Sequence, residues 1–158
     1  MKRLLVLLPL LALACGGIPD PEGETRDHEV AELHKSWQKL DKDADVVRVA
    51  ARFAAEAVAA GETPVIYVGA TWCQPCLLYK KSLDDPRMKA AHEGVRVLEA
   101  DADLHDLSAL GISPNGIPHW ATVDASGVSD GRAIDGGAWG DNTPENMAPA
   151  LSAFFRGE

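Results

Sequence analysis

The chain has 158 residues, 46% of them hydrophobic, which is enough for one globular domain with its own core. Its 15 Lys and Arg against 24 Asp and Glu give a formal net charge of -9. With no clustered basic patch to offset it, that balance repels phosphate backbones and excludes a nucleic-acid partner.

Met1-Lys2-Arg3 is a positively charged opening, and Leu4 to Ala14 is an apolar run too short to span a bilayer. The run ends in Leu11-Ala12-Leu13-Ala14-Cys15, which resembles a bacterial lipoprotein signal. That resemblance implies removal of residues 1–14, lipidation of Cys15 and a mature chain beginning there. Ala12 stands where leucine is usual, so a plain secretory cut after Ala14 stays open. Lipidation gives a protein anchored in the cell envelope and facing the periplasm; the plain cut gives a secreted or soluble periplasmic one. Either compartment permits disulfides, and Cys73 and Cys76 then remain as an even pair. Residues 15–27, rich in Gly, Pro and acid, read as a flexible tether, and 28–158 as the folded domain.

Val30, Leu33, Trp37 and Leu40 fall at roughly helical spacing, although a short strand fits nearly as well. Val46 to Ala60 carries an apolar helical stripe ended by Gly61. Pro64-Val65-Ile66-Tyr67-Val68-Gly69-Ala70 is a strand-like run that leads directly into Trp72-Cys73-Gln74-Pro75-Cys76. The helical pattern that follows runs to about His92 and breaks at Pro86. Val95 to Ala100 alternates as a strand, Leu104 to Leu110 reads as a short helix, and Ile117 to Val123 as a strand. A weaker strand follows around Arg132 to Ile134. Thr143-Pro144 opens a last helix through Phe155. This order predicts an α/β domain, a central mixed sheet covered by helices.

Two thiols at a helix N-terminus carry the chemistry. Unpaired backbone N–H groups and the positive helix end favour a thiolate on the first cysteine, and the C-x-x-C spacing lets the second close a small ring. A purely structural bond over so short a loop stabilises little. A zinc site needs two further ligands that the mature chain does not supply as cysteine, so neither a metal nor another cofactor is expected. Lys80 and Lys81 read as a solvated helix face.

Trp72-Cys73-Gln74-Pro75-Cys76 resembles the active-site motif of the thioredoxin family, and Gly116-Ile117-Pro118 follows at the family's distance. The resemblance covers a core of about residues 62–156 and implies the thioredoxin-like fold. It implies Cys73 as the exposed nucleophile and Cys76 as the resolving thiol. It also implies a cis Ile117–Pro118 bond facing the disulfide, with Trp72, Ile117 and Pro118 contacting substrate. Departures fall at Tyr67, where the family has a buried aspartate, and at Gln74 and His119, where glycine and threonine are common. With Pro75, these are candidates for tuning the thiols; His119 titrates near neutral pH.

Proline before the second cysteine resembles the reducing members. The reading is therefore a thiol–disulfide oxidoreductase, a membrane-tethered disulfide reductase of envelope proteins supplied by a membrane electron donor. Its partners are protein thiols and disulfides. A thiol oxidase or isomerase, and a non-catalytic binding module, remain open.

Overall fold

The computed structural model describes residues 36–158. The predicted signal, Cys15, the tether, Val30 and Leu33 lie outside the described residues. Strand β1 (Trp37–Lys39) is followed by helix α1 (Val46–Ala59) and strand β2 (Thr63–Gly69). Helices α2 (Gln74–Ser82) and α3 (Pro86–Ala91) precede strand β3 (Val95–Asp101). A 3₁₀ turn at Ser108–Leu110, strands β4 (His119–Val123) and β5 (Ser129–Asp135) and helix α4 (Pro144–Arg156) complete the order.

The five-stranded sheet runs β1-β3-β2-β4-β5. Strands β1, β3 and β2 are parallel, and β2–β4 and β4–β5 are antiparallel, so the sheet is mixed as expected. Strand β2 lies at its centre with every residue from Pro64 to Gly69 buried, which is why the sequence there reads as an unbroken apolar run. Alternation sends Ile66 and Val68 to a core with Phe53, Leu98 and Leu110, and Val65 and Tyr67 to a second core with Tyr79, Met88, Trp120 and Leu151. Helix α1 covers the first face; α2, α3 and α4 cover the second.

Local signals set the helix ends. The Asp45 carboxylate accepts from Arg48 N–H at 3.1 Å and caps α1. Asp85 caps α3 by accepting from Arg87 N–H at 2.9 Å, and the Arg87 guanidinium bridges Asp85 and Glu145, tying α3 to α4. Gly127, at φ 82°, turns the chain between β4 and β5 against α1. A Cβ there would sit 2.6 Å from the Ala50 carbonyl carbon, so only glycine fits.

The expected helix from Leu104 to Leu110 shrinks to the 3₁₀ turn at Ser108–Leu110. Side chains take up its backbone groups instead. Asp101 accepts from Asp103 N–H at 2.9 Å, Asp106 accepts from Ser108 N–H at 2.9 Å, and the His105 ring bonds the backbone of Asp101 and Asp41. The strand expected from Ile117 begins at His119, beyond a cis Ile117–Pro118 bond. No described helix is long and apolar enough to cross a membrane.

Candidate active site

Strand β2 ends at Gly69, and the chain turns through Trp72 into α2 with Cys73 as its N-cap. Cys73 and Cys76 form a disulfide with Cα atoms 5.2 Å apart. Proline at 75 has no N–H, so the helix-start donor that reaches the first sulfur belongs to Cys76, 3.2 Å from Cys73 Sγ. A thiolate at Cys73 therefore gains a charge-assisted hydrogen bond and the field of the helix N-terminus.

Both sulfurs are nearly buried: Cys73 is 3% exposed and Cys76 1%. This corrects the expectation of an exposed first thiol. As N-cap, the Cys73 side chain folds back over the Cys76 N–H and lies 3.7 Å from the Ile117 carbonyl oxygen. When the pair is reduced, the Cys73 S–H can donate to that carbonyl. The asymmetry between the two sulfurs rests on hydrogen bonding rather than on exposure.

The other sequence candidates fall around this pair. Trp72 is 66% exposed, and its Nε1–H donates to Asp103 Oδ2 at 2.6 Å, so the ring is held beside the disulfide from the loop after β3. Gln74 is exposed. Pro75 and buried Pro118 line a cleft of about 220 Å³ on one side of the cis bond. On the other side Trp72 and Ile117 line a cleft of about 410 Å³, with Asp106, Asn115 and Gly116. His119 is half-buried, and its Nδ1 has no partner among the described residues. Burial holds its pKa below the usual value, with Asp135, opposite it across β4–β5, pulling the other way.

Tyr67 is fully buried among Trp37, Tyr79 and Trp120, with a hydroxyl that has no partner among the described residues. Burial, then the neighbouring Glu99 charge, pushes that hydroxyl's pKa far up. Lys80 and Lys81 are exposed as expected, and Lys80 also pairs with Glu99 at 2.5 Å, its Nζ 5.8 Å from the Tyr67 ring centroid. Glu99, nearly buried, takes a second bond from Trp37 Nε1–H at 2.9 Å, and this fixes the carboxylate that draws Lys80 in.

Sequence reasoning missed Asp103, Asp106, Asn115 and Asp135. The run Asp101-Ala102-Asp103 was a usable signal, because short acidic side chains that cap their own backbone favour turns over helix. Among the described residues, no group of three or more His, Cys, Asp and Glu side chains is placed to hold a metal ion.

No family model matches the sequence. No curated protein matches it either. Solved structures do. A disulphide isomerase from Xylella fastidiosa Temecula1 superimposes with a TM-score of 0.54 at 21% identity, over 75% of this chain and 94% of its own. Trxlp from Edwardsiella tarda EIB202 gives 0.47 at 20%, over 76% and 98%. Mitochondrial thioredoxin 3 from Saccharomyces cerevisiae gives 0.47 at 21%, over 73% and 93%. With a mixed sheet, flanking helices and a C-x-x-C disulfide where the central strand enters a helix, the chain has the thioredoxin-like fold.

Proposed function

We propose that the protein is a thiol–disulfide oxidoreductase, and specifically a membrane-tethered reductase of disulfides in envelope proteins. The observation that carries the reading is the placement of Cys73 as N-cap of α2, with the Cys76 N–H aimed at its sulfur and the Ile117 carbonyl beside it. Cys73 is the nucleophile. Its thiolate attacks a substrate disulfide, one substrate sulfur leaves as thiolate and takes a proton from water, and a mixed disulfide remains. The Cys76 thiolate, its own proton lost to solvent, attacks Cys73 Sγ. The second substrate thiolate leaves, and the Cys73–Cys76 disulfide forms.

Two electrons have then passed to the substrate, so a dithiol donor must return them; in the envelope a membrane partner would do so. Trp72, Ile117 and Pro118 hold the substrate chain, which can lie along exposed Gly116 and half-buried Ile117 as a short added strand. Gln74, Pro75, Tyr67 and His119 tune the pair. Lipidation of Cys15 and the tether over residues 16–27 place the domain at the membrane surface.

Incubated with dithiothreitol, the protein is expected to accelerate reduction of a two-chain peptide joined by a disulfide. Cys73→Ser should abolish this, and Cys76→Ser should accumulate a Cys73-linked mixed disulfide that survives acid quenching. A Cys73→Ser protein that retained full activity and partner capture would reject catalysis and leave a binding module.

A further inference from the structure

On much of the surface carboxylates meet cations: Glu99 with Lys80, Asp85 and Glu145 with Arg87, Glu62 with Arg96, and Asp130 with Arg132, while Asp124 in the β4–β5 turn accepts from Ser126 and Val128 N–H. At the disulfide, three exposed carboxylates accept hydrogen bonds from neutral donors. Asp103 accepts from the Trp72 indole, Asp106 from Ser108 N–H at 2.9 Å, and Asp135 from Gly137 N–H at 2.8 Å. Asp106 lines the cleft on one side of Ile117–Pro118 and Asp135 the cleft on the other. Among the described residues, no Lys or Arg lines either cleft. A chain crossing Cys73 thus meets negative charge both before and after its own cysteine.

Apolar surface says what kind of chain. Trp72, Leu77 and Leu104 are 66%, 46% and 58% exposed, on the disulfide segment itself and beside Asp103. Exposed side chains of this size next to a cleft suit a polypeptide more than a small disulfide.

We propose that the preferred substrates are polypeptides carrying Lys or Arg on either side of the cysteine that is attacked. This inference rests on the oxidoreductase reading above. The cationic side chains enter the two clefts toward Asp106 and Asp135, while Trp72 and Leu104 cover the apolar part of the chain. Electrostatic complementarity of this kind acts chiefly on association, so it selects by rate. Acidic chains are repelled from the same surface.

The test uses the full-length protein, reduced with dithiothreitol and desalted. Three short peptide disulfides are offered, identical except for Lys, Ala or Glu on both sides of the cysteine, and the second-order rate of reduction is followed. At low salt the Lys peptide is expected to react about tenfold faster than the Glu peptide. In about 1 M salt, where the screening length falls to about 3 Å, the ratio should collapse. Asp106→Asn and Asp135→Asn should each narrow it. Equal rates for the Lys and Glu peptides, with the Ala peptide still reduced, overturn the charge inference and leave the redox reading intact. If none of the three is reduced, both fail.

Discussion

Tyr67 and Tyr79 lie with ring centroids 5.2 Å apart, yet their hydroxyls have opposite surroundings. The Tyr79 O–H donates to His92 Nε2 at 2.7 Å and accepts from Trp120 Nε1–H at 3.4 Å. Among the described residues the Tyr67 hydroxyl has no partner, and it fills the space beside Gly69, where a Cβ would come within 2.5 Å of it. A buried polar group without a partner costs about 1–3 kcal/mol. Tyr67→Phe should therefore raise the free energy of unfolding in urea by about 1 kcal/mol. Tyr79→Phe strands His92 Nε2 and should lower it by about 1–3 kcal/mol. Equal losses from both substitutions would show that the Tyr67 hydroxyl does have a partner.

Helix α3 carries its own pH dependence. His92, its C-cap, bonds the Met88 carbonyl through Nδ1 at 2.8 Å and packs edge-on against Phe155 at 5.1 Å. The Nδ1–H must donate to that carbonyl, so Nε2 is left to accept from Tyr79. Burial holds the ring's pKa below its ordinary 6.5, against the smaller upward pull of the Met88 carbonyl. The unfolded chain then binds a proton before the folded one does. Stability is complete above 6.5 and falls as pH drops from there toward the folded value. His92→Gln removes this titration, so its unfolding temperature should decline less between pH 7 and pH 5 than that of the unsubstituted protein. Parallel declines would contradict the assignment.

Elements with a single dominant signal were legible in the sequence. The unbroken apolar run of β2, the apolar stripe and Gly61 stop of α1, and the Pro86 break between α2 and α3 each point one way. The segment 101–110 was not legible, because its Asp and His side chains compete with the helix for backbone groups. Strand β5 runs from Ser129 to Asp135, longer than the Arg132–Ile134 core of the expectation. It is an edge strand with most residues exposed, so no alternation marks its ends. The cysteine pair could be read from its spacing at a helix start, whereas Trp72 and the Ile117–Pro118 pair were legible through the resemblance to the thioredoxin motif. Lys80 and Glu99, 19 residues apart, could be joined only by the β2–β3 pairing that stacks Tyr67 beside Glu99.

On the scale of the whole molecule, the fold brings together two distant segments of chain. The central strand delivers Cys73 to a helix start, and the loop before β4 returns 44 residues later with the Ile117 carbonyl beside it. The loop after β3 holds Trp72 through Asp103 and lines the cleft on one side of the cis bond through Asp106, and the end of β5 lines the cleft on the other side through Asp135. Proline at 75 and the donor at Cys76 favour the Cys73 thiolate and so its attack on a disulfide; because the same stabilisation of the reduced form raises the potential, the direction of electron flow is decided by the potential itself. The most direct test is the reduction potential of the Cys73–Cys76 pair, set by equilibration against glutathione and dithiothreitol and read by thiol alkylation. A reductase requires a value at or below roughly -250 mV, in the range of reducing dithiols. A value near about -120 mV would contradict the account and make the protein an oxidant of secreted thiols.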